Sequence, residues 1–233
     1  MDQELLSRYR AGVGALIYLS VMTRPDISYS VSAVAQFMSN PNSDHEIALW
    51  RIFRYLRFSH HYSLKYFHTG HGMTMTTYVD ANFMGDYDSR SVTGKLLFSG
   101  NGLIEWGSNR QSVIATSTSH SECIAFFEAV KSVIYVRKLI EGFVTENRVL
   151  WRPTIVYCDN SATVELTRKL NENPDRTKHW NMQWNWLHEQ RDSFHQFTPI
   201  HKKGTLNWAD IGTKPLTKDL HHRIVQALHL DDC

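Results

Sequence analysis

Four acidic residues sit where a folded chain could use them for chemistry: Asp80, Glu122, Asp159 and Asp210. Asp80 lies in a strand-like run, Tyr78-Val79-Asp80-Ala81-Asn82, and Asp159 ends a second compact apolar run, Thr154–Asp159. Glu122 stands at the start of one helical pattern and Asp210 at the start of another. Taken singly, each reads as a cap or turn residue. Brought together, four carboxylates repel one another, and hard divalent cations relieve that repulsion. Mg²⁺ suits such a set, because it takes few protein ligands and completes its shell with water and phosphate oxygens. Two ions bridged by carboxylates can activate a water and stabilise the leaving oxygen of a phosphodiester displacement. Zn²⁺ is disfavoured, since no His or Cys pair has the spacing of a zinc ligand set. Cys123 and Cys158 each neighbour one of the acids and read as small buried apolar residues.

The elements that must position these acids follow from pattern. The first part, to about residue 68, reads as helical, broken at Arg24-Pro25-Asp26 and again at Asn40-Pro41-Asn42. Between the breaks Ile27–Met38 resumes a helix, and Ser43-Asp44-His45-Glu46 has the capping-box arrangement for the next one. In that helix Leu49, Ile52, Phe53 and Leu56 share one apolar face, while Arg51, Arg54 and Arg57 lie off it, toward solvent or a phosphate backbone. Strands are expected at Leu64–Phe67, Thr74–Asp80, Gly94–Ser99 and Leu103–Trp106, the last two joined by the turn Gly100-Asn101-Gly102. Ser119-His120-Ser121-Glu122 again has capping-box spacing, ahead of an apolar face of Cys123, Phe126, Phe127, Val130, Val133 and Ile134. Helices Ala162–Leu170 and Trp180–Arg191 and a strand Phe197–His201 complete the pattern, which argues for a mixed sheet with helices on its faces.

At 233 residues the chain can form one good-sized domain or a domain with an appendage. A net charge of +2 permits a polyanionic partner without requiring one. Three Cys are an odd set, so a disulfide framework is not expected. No apolar run reaches membrane-spanning length, and no membrane partner is expected. Ala11–Met22, after Arg8 and Arg10, has the size of a signal-peptide apolar region. Its continuing helical pattern and the lack of a small-x-small cleavage site favour an amphipathic core helix.

Several of these stretches resemble one family. Tyr78–Gly85 with Asp86, Asp88, Arg90, Thr93 and Gly94 is similar to the first ribonuclease H motif of copia-type retrotransposon Pol polyproteins. Ile104-Glu105-Trp106-Gly107-Ser108 with Gln111 resembles the hairpin that follows it. Ser117–Cys123 resembles the Glu-bearing motif, Cys158–Ala162 the third and Ala209–Leu216 the fourth; Arg176-Thr177-Lys178-His179 is a further family hallmark. Tyr9-Arg10, Tyr18-Leu19, Thr23–Ile27 and Phe37–Pro41 resemble the tail of the preceding reverse transcriptase. The resemblance implies an α/β, ribonuclease H-like mixed five-stranded sheet flanked by helices, with an N-terminal helical extension. It implies a reverse transcriptase remnant over 1–68 and a nuclease domain over 69–233. Asp80, Glu122, Asp159 and Asp210 would hold two Mg²⁺, with Mn²⁺ able to substitute, and cut the RNA strand of an RNA–DNA hybrid. Arg176, Lys178 and His179 would bind substrate, and His179 could assist product release. Where the family usually has an acid, this chain has His120, a departure expected to lower activity. The upstream reverse transcriptase of a parent polyprotein would be the partner, inside the cell in a cytoplasmic particle or the nucleus. No Tyr-x-Asp-Asp polymerase motif is present, so DNA synthesis is not expected of this chain.

Two other readings stand beside it. Arg54-Tyr55-Leu56-Arg57 matches the Arg-x-Leu-Arg motif of secreted oomycete effectors. With Ala11–Met22 as a signal, the chain would be secreted, translocated into a plant host cell and act on a host-cell protein. No acidic Glu-Glu-Arg companion follows, and Leu56 belongs to the apolar stripe. The remaining reading is an inactive fold that still binds nucleic acid.

Overall fold

In a computed structural model, the structure describes residues 3–67, 74–85, 88–143, 152–168 and 181–230. Three helices lead: α1 (Gln3–Met22), α2 (Ser28–Ala35) and α3 (Ser43–Phe58). The sheet follows as β1 (Met75–Asn82), β2 (Val92–Ser99) and β3 (Gly102–Arg110), then α4 (Thr118–Phe143), β4 (Thr154–Cys158), α5 (Ser161–Arg168), α6 (Asn181–Asp192) and β5 (Phe197–His201). A 3₁₀ turn, Trp208–Gly212, and α7 (Lys218–Ala227) close the chain.

The sheet order is β3-β2-β1-β4-β5. β1–β2 and β2–β3 pair antiparallel, whereas β1–β4 and β4–β5 pair parallel. Val79 of β1 aligns with Cys158 of β4. The next residue in each strand's path is an acid, so Asp80 and Asp159 emerge side by side. α4 lies on β1 and β2, burying Ala125, Phe126, Ala129 and Val130 with Val79, Val156 and Phe197, and Val133 with Met75 and Leu97. The other sheet face buries Tyr78, Leu96, Phe98 and Leu103 under α7 and the 3₁₀ turn.

The helical extension carries its own core of Tyr9, Val13, Leu16, Ile27, Val31, Leu49 and Ile52. Val13 and Leu16 therefore spend the Ala11–Met22 run on internal packing, as an amphipathic helix does, while Ile17, Tyr18, Val21 and Met22 stay exposed. No helix among the described residues is long and apolar enough to cross a membrane.

Several boundaries differ from the sequence pattern. Leu64–Phe67 forms no strand: Ser63 N–H bonds Leu230 O, and the Tyr66 hydroxyl bonds Leu103 O, so single tethers replace a ladder. The second helix ends at Ala35, in a turn rather than at Met38. α3 is capped by Asn42 instead of Ser43, with His45 closing the capping box at 3.0 and 3.1 Å, while Glu46 pairs with Arg8. The α4 start lies earlier than the Ser119–Glu122 pattern, with the Ser117 hydroxyl accepting from His120 N.

Arg24 ties the helical layer together. Its guanidinium donates to both Asp26 carboxylate oxygens (2.9 and 2.7 Å) and to Ser59 O and Oγ, and the Tyr55 hydroxyl donates to Asp26 Oδ2 at 2.7 Å. Arg24 and Asp26 are 6% and 5% exposed, so the pair is shielded from water and from salt. His221 of α7 reaches Asp26 O at 3.3 Å, and the Trp106 indole of β3 donates to Ser20 O at 2.6 Å. Removing one partner strands a buried charge, which costs about 3–5 kcal/mol. Asp26→Ala is therefore expected to lower the urea unfolding free energy by about that amount. Arg24→Met with Asp26→Leu should recover most of the loss. Equal stability of wild type and the single variant would refute the role.

Candidate active site

Strand register brings the first two acids together, and helix and turn bring the others. Asp80 is 3% exposed and Glu122 7%, while Asp159 is half-buried at the end of β4. Glu122 does not cap α4. It lies a turn inside the helix, on the buried face, and its Oε1 accepts from Ala81 N at 3.4 Å across the end of β1. Ligand atoms of Glu122, Cys158 and Asp159 lie within 4.8 Å of one another.

Asp210 arrives on the 3₁₀ turn, which rests against β2 where both sides lack side chains. A Cβ on Gly94 would meet Ala209 O at 2.6 Å, and one on Gly212 would meet the Gly94 Cα at 3.1 Å. Asn207 pins the turn from below: its amide donates to Val79 O at 2.8 Å and its Oδ1 accepts from Ala209 N. Thr213 donates to Asp80 Oδ2 at 2.5 Å. Lys214 places its ammonium 2.6 Å from Asp210 Oδ1 and 4.0 Å from Asp80 Oδ2. Gln111 binds the same edge, donating to Thr93 Oγ1 and Ser121 O.

Electrostatics follow from that crowding. Burial first, then the charges of Asp80 and Asp159, push Glu122 up to about 9. Asp159 is raised by burial and by Asp80. Asp210 is raised to about 6, with burial the main cause and the Lys214 hydrogen bond working against it. Burial opposes the charge on Lys214, but Asp210 and Asp80 overcome it and raise its pKa. The Cys158 thiol is raised by burial and by Glu122, so it stays protonated and sits 3.9 Å from Glu122 Oε2 as a weak donor. Cys123 is buried against Thr163, and both described cysteines are free thiols.

Asp80, Glu122, Asp159 and Asp210 thus share one electrostatic cluster. Arg176, Lys178 and His179 lie outside the described residues. Arg54–Arg57 is remote from the cluster in sequence and forms part of α3: Arg54 and Arg57 are exposed, Leu56 packs on the helical core and Tyr55 bonds Asp26. Thr213 and Lys214 were visible only as letters of the fourth motif. The Asp210–Lys214 spacing of four is the signal that could have exposed their role, and it reads equally as a surface ion pair.

Strand order and direction define a ribonuclease H-like fold. No family model matches the chain. It is 35% identical over 185 residues to the retrovirus-related Pol polyprotein from transposon TNT 1-94 of Nicotiana tabacum, covering 79% of this chain and 13% of that one. It is 32% identical over 217 residues to the Pol polyprotein from transposon RE1 of Arabidopsis thaliana, covering 91% and 14%. Secreted RxLR effector protein 161 of Plasmopara viticola is 36% identical over 129 residues, covering 55% of this chain and 90% of the effector. The chain belongs to the family of copia-type retrotransposon Pol polyproteins and their shorter relatives. It spans about one seventh of the length of the two polyproteins. Among solved structures, a ribonuclease H1 isolated from compost is 14% identical with a TM-score of 0.44, covering 60% of this chain and 92% of that one. The fold assignment rests on the strand order, not on that likeness.

The raised pKa values carry a sign that can be measured. Glu122 at about 9 folded, against an ordinary 4.5, means that the metal-free protein holds an extra proton between those values. Asp210 adds the same effect between 3.8 and about 6. Stability of the metal-free protein should fall as pH rises through this window. In EDTA the melting midpoint is expected to be lower at about pH 8.5 than at about pH 6, and Glu122→Gln should flatten the slope. A pH-independent midpoint would contradict this site.

Proposed function

We propose that this chain is the ribonuclease H portion of a retrotransposon Pol protein, hydrolysing the RNA strand of RNA–DNA hybrids with divalent metal. The observation that carries it is the β1–β4 register, which sets Asp80 beside Asp159 with Glu122 reaching across from α4. In this reading residues 1–68 are the reverse transcriptase tail and 69–233 the nuclease. The upstream reverse transcriptase of the parent protein is the partner, and the work is done inside the cell.

The residues fit a cation. Three of the four carboxylates are pushed toward protonation by burial and mutual repulsion, and an ammonium already lies against Asp210 and Asp80. Asp80, Glu122, Asp159 and Asp210 would hold two Mg²⁺, or Mn²⁺ in their place. Bound there, the ions supply an activated water and stabilise the leaving oxygen. The chain's own contribution is positioning. Thr213 fixes the Asp80 carboxylate, Asn207 fixes the turn that carries Asp210, and Glu122 gives up its carboxyl proton when a cation enters. Arg176, Lys178 and His179 are the proposed substrate contacts.

The likeness to effector 161 and the Arg54–Arg57 tetrad favour a second reading, a secreted protein acting on a host protein in plant cells. Burial of Val13 and Leu16 and the tie of Tyr55 to Asp26 weigh against it. A reporter fusion that stays inside the cell would end it.

Purified protein is expected to cut the RNA of a labelled hybrid in Mg²⁺ and to leave the DNA strand intact. Asp80→Asn and Asp159→Asn should each slow cutting by more than about 100-fold, exceeding losses typical of residues behind the ligands. Folded protein that binds hybrid without cutting it in Mg²⁺ or Mn²⁺ would leave an inactive nucleic-acid-binding remnant and refute the nuclease reading.

A further inference from the structure

Three aromatic residues stand two positions ahead of three of the four acids: Tyr78 before Asp80, Tyr157 before Asp159 and Trp208 before Asp210. Along an extended chain, residues two apart share a face. Tyr78 and Tyr157 face each other in the β1–β4 register, with ring centroids 5.0 Å apart, and Trp208 stacks on Tyr78 at 4.6 Å. The three segments that carry these acids therefore meet a second time, one step behind the carboxylates.

Lys202 closes this group. Its ammonium lies 4.6 Å from the Tyr78 ring centroid, 4.3 Å from that of Tyr157 and 5.6 Å from that of Trp208, all within cation–π range. Nζ also donates to the Tyr78 hydroxyl at 3.1 Å. The backbone fixes the root of the side chain, since Lys202 N–H donates to Cys158 O at 2.8 Å, directly before Asp159. From Lys202, just past β5, the chain runs on to Asn207, which holds Val79 O and the turn that carries Asp210. A lysine that only covered apolar surface with its stem would place its charge in water. This one places it over three rings and a hydroxyl.

We propose that Lys202 is a positioning residue for the four-carboxylate site, a reading that rests on the nuclease function above. Its ammonium draws the rings of β1, β4 and the 3₁₀ turn onto one point. That fixes the spacing of Asp80, Asp159 and Asp210 for a cation, through the rings rather than by contact with the acids.

The test measures Mn²⁺ uptake by the full chain from the electron paramagnetic resonance of the free ion, with hybrid cutting in Mg²⁺ alongside. Lys202→Met keeps the stem and removes the charge. It is expected to weaken Mn²⁺ about tenfold and to lower kcat about tenfold, with KM for hybrid and the melting midpoint in EDTA unchanged. Lys202→Arg, whose guanidinium also sits on aromatic faces, should restore most of both losses. If Lys202→Met does not fold, Tyr157→Leu removes the nearest ring and should weaken Mn²⁺ in the same direction. Wild-type Mn²⁺ affinity in the folded variant overturns the proposal. So does a loss that follows a lowered melting midpoint and that Lys202→Arg does not restore, since packing alone would produce it. Wild type that binds Mn²⁺ through Asp80 but leaves hybrid uncut refutes the nuclease reading, and the Mn²⁺ comparison still decides the role of Lys202. Wild type that takes up no Mn²⁺ refutes both.

Discussion

Parallel pairing of β1 with β4 is the constraint on which the rest depends. With Val79 opposite Cys158, both strands hand over to an acid at the same level. A slip of one residue would turn every side chain of a strand to the other face. Val79, Val156 and Cys158, all fully buried, make that slip costly, because it would drive Asp80 or the larger rings of Tyr78 and Tyr157 into close-packed places under α4. The apolar core thus enforces an arrangement that the carboxylates themselves resist.

That resistance is managed locally. Ala81 N and the Cys158 thiol turn donors toward Glu122, Thr213 turns one toward Asp80, and Lys214 brings a positive charge to Asp210. These partners satisfy some lone pairs but leave the cluster short of positive charge. Charge-assisted hydrogen bonds are the stronger kind, yet one ammonium cannot balance four ionised carboxylates. The difference is met by proton retention at Glu122, pushed up to about 9, which is the state a divalent cation would displace.

Much of this could be read in the sequence, and what could not has physical reasons. β5 appears at Phe197–His201 as expected, because a short alternating run between polar loops has few other uses. Asp80 and Asp159 were legible because each follows a compact apolar run. Leu64–Phe67 has the same look, but both edges of the sheet are β3 and β5, and this segment meets Leu103 and Leu230 through single bonds instead. Glu122 looked like a cap because capping boxes recur at that spacing. Its true role depends on which way α4 faces, and local sequence does not carry that. The close approach of Gly94 to Gly212 is a contact between segments more than a hundred residues apart in the chain, invisible until both are folded.

The Arg54–Arg57 tetrad shows how a short string can be explained by its helix. On α3, positions three apart share a side, so Arg51, Arg54 and Arg57 form one exposed basic stripe, while Tyr55 and Leu56 turn inward. Tyr55 is fixed by Asp26 and Leu56 by the apolar core, so each position of the tetrad already has a structural cause. A motif whose every residue is accounted for by packing and solvation carries little further weight as an address. The stripe it belongs to begins at Arg51, which lines the cleft between the helical layer and α7, and continues along the outer face of the same helix. Helical repetition of basic residues beside that cleft therefore describes the tetrad better than a separate signal does.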